Sequence, residues 1–325
     1  MRAAQLIEHA GPAAVRVADI PEPETDGSLV VVDLHAAGVS FPDLLQTTGA
    51  YQTIRPLPCT LGAEGAGIVR SAPAGSALTA GQRVAVLSVA GAWQQTVALP
   101  EELVFPLPDS VSLTAAAGML MNYFTAHFAL DERARYRPGE TVLVHGAAGG
   151  LGVASLQVAA ALGLETIAVV STEEKAAVAK ANRATHTVPA DGFKDRVLEL
   201  TAGRGVDIVL DPVGGDRFTD SLRSLAPGGR AVVLGFTGGS IPTVKVNRLL
   251  LKNISVVGAG WGEYLRTVPD YPARQWAVLE PLLREGALIV PEPALHPLDD
   301  AAAALRSLEN RSATGKVALD LTPRS

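Results

Sequence analysis

The stretch TVLVHGAAGGLGVASLQVAAALG carries a hydrophobic strand (141–145) straight into a glycine-rich turn and then a helix. That arrangement aims backbone N–H groups and a helix dipole at one point, which is the chemistry that holds a pyrophosphate. Aligned on the pattern G-x-G-x-x-G, the three positions fall at Ala147, Gly149 and Gly152, with Gly146 just before them. Gly149 would let the backbone approach a phosphate, and Gly152 would let the helix pack on the strand. Alanine replaces the first glycine. Ala148, Gly149, Gly150, Leu151 and Gly152 are the candidate cradle. The competing reading is a tight strand-to-helix turn with no ligand. Its place at the head of a strand–helix series favours a dinucleotide.

Near the end of the next strand an acidic residue would hold the adenosine ribose of NAD. Here the tip reads Val170-Ser171-Thr172, with no carboxylate. Lys175 follows one helical turn later and can reach a 2′-phosphate, with Ser171 or Thr172 donating hydrogen bonds. NADPH is therefore expected over NADH. The alternative is that Lys175 is an ordinary solvated lysine and Ser171 merely a helix cap; Glu173 and Glu174 also lie close and weaken a phosphate site.

The elements that must position these residues change character along the chain. The first hundred or so residues give short β-branched or alternating runs (RAAQLI, VRVADI, SLVVVDLHAAGV, GAGIVRS, QRVAVLSV, WQQTVAL) separated by Gly and Pro clusters. These predict a small barrel or sandwich. From about Leu113 strands and helices alternate. The helix from about Leu151 stops at Gly163, and STEEKAAVAKA opens on a capping box of Ser171 and Glu174. A helix with Phe193, Val197 and Leu200 on one stripe comes next. VDIVLD (206–211) then precedes a helix with Phe218, Leu222 and Leu225 on one face, ended by Pro227-Gly228-Gly229. RAVVLG and ISVVGAG complete a doubly wound parallel sheet of six strands. A further helix (Tyr271 to Glu285) and a final KVALDL strand are expected to return to the first domain.

Composition narrows the class. With 325 residues, 48% hydrophobic and 18% charged, the chain can build two cores and has little scope for disorder. A net charge of −6 argues against a nucleic-acid or anionic-membrane partner. A single cysteine, Cys59, rules out a disulfide framework and a multi-thiolate metal cage. No apolar run is long enough to span a bilayer, and no basic-then-apolar leader precedes the first strand, so a soluble, cytoplasmic protein is expected. There is no Tyr-x-x-x-Lys, G-x-S-x-G, H-E-x-x-H or phosphate loop ending in Gly-Lys-Ser/Thr, which sets aside the short-chain reductase, hydrolase, zinc protease and NTPase readings.

AAGVSFPDLL, LGAEGAGIV, GQRV, MNYFTAH, VHGAAGGLG, DPVGG, GGRAVVLG and ATGKVAL occur in the order seen in medium-chain dehydrogenases/reductases. The chain most resembles their quinone oxidoreductase (zeta-crystallin-like) branch, over nearly its whole length. The resemblance implies a GroES-like catalytic domain made of residues 1–117 and 263–325, around a Rossmann domain of 118–262. Where the zinc alcohol dehydrogenases of this family have a cysteine ligand, this sequence has Ser40, and where they have the histidine of G-H-E it has Ala63. Glu64 is left without a metal partner, and no metal site is expected.

Without a Lewis acid, alcohol oxidation loses the ion that would stabilise its alkoxide. Quinones and conjugated enones delocalise incoming charge onto oxygen and do not need it. The resemblance thus implies an NADPH-dependent reductase of such small molecules, acting as a homodimer paired near Arg230–Leu234 and Ile254–Val257. It sets Ser40 and Tyr51 beside the nicotinamide and acceptor, although quinone reductases of this group often have asparagine at Ser40 and a second tyrosine at Leu45. Tyr51 either donates to a developing enolate or hydroquinone oxygen or caps a barrel turn; Ser40 is a site residue or a filler of the vacated metal position. Thr125 would meet the nicotinamide carboxamide, or sit in a helix with its hydroxyl bonded to the backbone. Asn122, Gly235, Phe236, Asn247 and Lys316 are further cofactor candidates, and His145 reads as structural. A reductase of enoyl thioesters and a non-catalytic NADPH-binding protein are the competing functions.

Overall fold

The computed structural model describes residues 1–88 and 91–322. Two compact units emerge: Met1–Met121 with the chain from Pro272 onward, and Asn122–Tyr271. The first eight strands belong to the first unit: β1 (Arg2–Leu6), β2 (Val15–Asp19), β3 (Val30–Val39), β4 (Cys59–Thr60), β5 (Glu64–Ser71), β6 (Arg83–Leu87), β7 (Thr96–Leu99) and β8 (Val104–Pro106). The next six build the second: β9 (Thr141–Val144), β10 (Glu165–Val170), β11 (His186–Pro189), β12 (Val206–Asp211), β13 (Leu225–Val233) and β14 (Ser255–Gly258). The last two, β15 (Ala294–Pro297) and β16 (Val317–Asp320), return to the first unit, where β16 runs antiparallel to β3. The tail therefore completes the N-terminal sheet.

The first unit pairs its strands in the order β15-β16-β3-β5-β6-β8, with β7 also on β3, beside a three-stranded sheet β2-β1-β4. Its core gathers Leu6, Val30, Val32, Leu61, Trp93, Val97, Leu305 and Leu319. The Trp93 indole is fully buried and finds its required acceptor in the Gly38 carbonyl of β3, at 2.9 Å.

The second unit is a parallel sheet in the order β11-β10-β9-β12-β13-β14, the doubly wound order with its switch point between β9 and β12. β9 is buried along its whole length, as a strand covered on both faces by helices must be. Four local expectations shift. The helix Phe218–Ser224 stops at Ser224, and Leu225 through Gly229 already belong to β13. Pro227 disfavours helical geometry at Ala226, so the chain is extended before the glycines arrive. The N-cap of the helix Glu173–Ala181 is Thr172, whose hydroxyl accepts the Lys175 N–H, one residue later than the expected Ser171. Leu200 is exposed, so only Phe193 and Val197 of its stripe enter the core. β13 is hydrogen-bonded on both sides, so Arg230–Leu234 offers no pairing edge; β14 is the edge strand. No described helix is long and apolar enough to cross a membrane.

Candidate functional site

In the second unit the loops after β9, β12 and β13 meet at the carboxyl ends of the strands. The helix Gly150–Ala161 starts from Gly149 with no side-chain cap and no acid in its first turn. Its first N–H groups have no intrahelical acceptor, the arrangement that suits an anion at a helix start. Gly152 is dictated by packing: a Cβ there would stand 2.2 Å from the Gly146 carbonyl oxygen and 2.6 Å from Ala147 Cα. The turn thus lies flat against the helix only because residue 152 has no side chain. Across the switch point the Asp211 carboxylate accepts the N–H groups of Val213 and Gly214 at 2.8 and 2.9 Å, folding DPVGG back on itself. The loop after β13 rests on that turn, with Thr237 and Gly238 donating to the Pro212 and Val213 carbonyls. Gly235 and Phe236 belong to this loop, Phe236 being partly exposed.

This crevice has the features a dinucleotide needs: uncapped donors, close backbone approach and a switch point. Ser171 and Thr172 are exposed at the tip of β10, the strand next to β9. Thr172 spends its oxygen on the Lys175 N–H but keeps its own hydroxyl hydrogen. Asn122 and Thr125 lie on the helix Leu120–Phe128, and Asn247 is exposed at the start of the helix Asn247–Lys252. His145 has a structural place. Its Nε2 lies 2.8 Å from Ser221 Oγ, its ring stands edge-on to Phe193, and burial lowers its pKa.

The first unit holds a polar cluster that the sequence presents only as separate residues. Lys316 Nζ donates to Glu64 Oε1 at 2.6 Å and to Ser40 Oγ at 2.8 Å. The two charged side chains are 12% and 1% exposed. Glu64 Oε2 accepts the Met121 N–H at 2.9 Å, so both carboxylate oxygens are bonded. Ser40 caps the helix Phe41–Thr47; its own N–H donates to Asp43 Oδ2, and the Gly62 N–H donates to Asp43 Oδ1. Desolvation pushes the fully buried Asp43 carboxyl up to about 6, against these two donors and Lys316, which favour its charged form. Asp43 ties down the loop.

Two glycines clear the space for this cluster. A Cβ on Gly38 would lie 2.7 Å from Glu64 Oε1, and one on Gly118 would lie 2.5 Å from Lys316 Cγ. The residues do not suit a catalytic zinc, which needs three protein ligands. Ser40 and Ala63 stand at the expected ligand positions, Glu64 is already paired with an ammonium, and both oxygens of Asp43 accept backbone N–H groups. Tyr51 is elsewhere in the unit, lining an open recess of about 210 Å³ with Leu6, His9, Gln46, Arg55 and Cys59. Ser40 and Lys316 are thus brought together, while Tyr51 lines a recess to which neither contributes.

Comparison with known proteins gives a consistent result. Residues 26–109 match the alcohol dehydrogenase GroES-like domain, and residues 150–277 match the family described as zinc-binding dehydrogenase. The quinone oxidoreductase-like protein 2 of Rattus norvegicus is 38% identical over 296 residues, covering 90% of this chain and 85% of that protein. The Thermus thermophilus quinone oxidoreductase, solved alone and with NADPH, is 35% identical with a TM-score of 0.84 and covers 99% of this chain and 100% of its own. The Escherichia coli quinone oxidoreductase complexed with NADPH is 28% identical with a TM-score of 0.87, covering 98% and 100%.

Proposed function

The chain belongs to the quinone oxidoreductase family of the medium-chain dehydrogenases/reductases, and from that membership we propose that it transfers hydride from NADPH to quinones or conjugated enones without zinc. The observation that carries this reading is the buried Lys316–Glu64 pair beside Ser40. An ammonium already neutralises the one carboxylate at the position where a metal-dependent relative polarises an alcohol. The acceptor must then be one that welcomes hydride unaided, with its charge delocalised onto oxygen.

NADPH, when bound, supplies the hydride. The backbone N–H groups from Ala148 to Gly152 hold its pyrophosphate, and Lys175, with Ser171 and Thr172, takes the 2′-phosphate. Gly235, Phe236, Asn122, Thr125 and Asn247 serve the nicotinamide end in this reading. Ser40 and Tyr51 serve the acceptor. The absence of a carboxylate at the tip of β10 and the relatives solved with NADPH support the choice of cofactor.

The test follows loss of reduced-nicotinamide absorbance, with NADPH and NADH, against an ortho-quinone, a para-quinone, an enone and an enoyl thioester, before and after chelation. Chelator-insensitive NADPH oxidation with quinones or the enone is expected. Turnover of the thioester alone, or loss of activity on chelation, would overturn the assignment. A homodimer belongs to the same reading, because edge strand β14 lies near Val246, Leu250 and Leu251, which are 74–78% exposed. Light scattering should give twice the chain mass, and Leu251→Glu should halve it; a monomeric wild type removes the dimer. A cytoplasmic location accords with the single, buried Cys59 thiol.

A further inference from the structure

A hydride brings two electrons and one proton's worth of hydrogen, so the reduced acceptor is left one proton short at its oxygen. Resting on the hydride-transfer reading above, we propose that Lys316 and Ser40 deliver that proton, with Glu64 as the buried anchor that holds Lys316 in place. NADPH, when bound, would supply the hydride: the acceptor would gain two electrons and a C–H or O–H bond in place of the cofactor's C–H bond, and the cofactor would leave oxidised. The Ser40 O–H bond breaks as the acceptor's O–H bond forms. A Lys316 N–H bond then breaks to restore the Ser40 hydroxyl, and the neutral amine recovers its proton from water.

The geometry points to a donor that is built in place. Lys316 Nζ is 2.8 Å from Ser40 Oγ, within the range for proton transfer, and its second bond to Glu64 Oε1 holds it there at 2.6 Å. The anchor cannot turn away, because its other oxygen is fixed by the Met121 N–H. Ser40 is fixed in turn by its own N–H on the Asp43 carboxylate. The lysine stem passes where any side chain on residue 118 would stand, and the carboxylate where any on residue 38 would stand. Ser40 Oγ donates to Glu64 Oε1 at 3.5 Å, a bond long and weak enough for the hydroxyl hydrogen to turn to an acceptor oxygen. Lys316 is a positioning and proton-supplying residue acting through Ser40; only Ser40 would touch the substrate.

Three variants separate proton delivery from charge and from packing. Lys316→Arg keeps a cation for Glu64 but cannot release a proton. Ser40→Ala removes the relay oxygen. Lys316→Cys in a Cys59→Ser background, treated with bromoethylamine, returns an ammonium of nearly the original reach. Steady-state reduction of a para-quinone by NADPH is measured with each, and NADPH affinity is read separately by fluorescence titration of the acceptor-free protein. Ser40→Ala and Lys316→Arg should each lose about 10²-fold in kcat, the usual contribution of a positioned acid. KM and NADPH affinity should stay within about twofold, and aminoethylation should recover at least about tenfold of the Lys316→Cys loss. Full turnover by Lys316→Arg would show that charge alone suffices and would overturn the relay. A parallel loss of NADPH affinity would make Lys316 a cofactor ligand and overturn it too. A wild type silent with every quinone and enone would fail the hydride reading itself, an outcome distinct from any difference among variants.

Discussion

Replacing Lys316 with methionine removes the charge but keeps most of the stem, and the structure fixes what is left behind. Glu64, at 1% exposure, would retain the Met121 N–H on one oxygen and only the long 3.5 Å bond from the Ser40 hydroxyl on the other. Breaking a buried ion pair in this way costs about 3–5 kcal/mol. Protonation supplies a ceiling, since a carboxyl of ordinary pKa is neutralised at pH 7 for roughly 4 kcal/mol and at pH 5 for about 1 kcal/mol. Lys316→Met should therefore be about 3–4 kcal/mol less stable than wild type at pH 7, but only about 1 kcal/mol less stable at pH 5. In melting temperature that is roughly 10 °C and roughly 3 °C for a unit of this size. Glu64→Gln combined with Lys316→Met removes the stranded charge. Its amide can still accept the Met121 N–H, so the double variant should regain most of the loss at both pH values. Thermal and urea unfolding of the three proteins at pH 5 and 7 measure all of this. A Lys316→Met deficit that is absent at pH 7, or unchanged at pH 5, would refute a buried carboxylate as its cause.

Three other outcomes follow from single contacts. Gly152→Ala puts a methyl 2.2 Å from the Gly146 carbonyl oxygen, so the turn must open and NADPH affinity should fall by more than about tenfold in a fluorescence titration, with the fold intact by circular dichroism. Lys175→Ala would remove the charge-assisted contact proposed for the 2′-phosphate, worth about 1.5–3 kcal/mol, so it should weaken NADPH by roughly 10–100-fold and leave NADH unchanged; equal losses would place Lys175 away from the 2′-phosphate. Asp43 has a native pKa of about 6, above its unfolded value, so the native state holds the extra proton. Its contribution to stability rises as pH falls through 6, and wild type should gain roughly 1 kcal/mol on Asp43→Asn between pH 7 and pH 5. A gap that moves the other way would show that the two backbone donors outweigh burial.

What was legible in the sequence was local or periodic. The run from Thr141 to Gly163 carries its strand, turn and helix in one segment, and at Gly152 any side chain would meet the backbone of the Gly146–Ala147 turn. The six parallel strands follow from alternation alone. The helix Phe41–Thr47 was missed although its signal is present: Ser40 three residues before Asp43, with Pro42 in the first turn. The apolar stripe places Leu225 on a helix because a fully buried leucine suits a helix face and a strand equally well, and Pro227 decides between them. The polar cluster was illegible for a different reason. Ser40, Glu64 and Lys316 lie 252 and 276 residues apart along the pairs that matter, and no period connects them. The available signals were an acid inside the apolar run LGAEGAGIV and a lysine opening the apolar KVALDL, two charges in segments that only make sense if each neutralises the other.

That buried pair bears on why the chain retains charge there at all. An ion pair taken out of water gains little over well-packed apolar side chains of the same volume. Here it also occupies space that any side chain at residues 38 or 118 would fill, so the fold gives up packing at two positions to house it. Stability is a weak explanation for such an arrangement. Structural uniqueness is also insufficient, because β3, β5 and β16 are already held in register by their ladders. What the pair supplies that apolar packing could not is a fixed ammonium bonded to the hydroxyl of Ser40, at the position the zinc enzymes of the family give to a cysteine ligand. A metal there polarises by coordination. In the proposed reaction an ammonium with a serine before it would polarise by hydrogen bond and would also release a proton, which suits an acceptor that needs hydride and proton together and has no use for a Lewis acid.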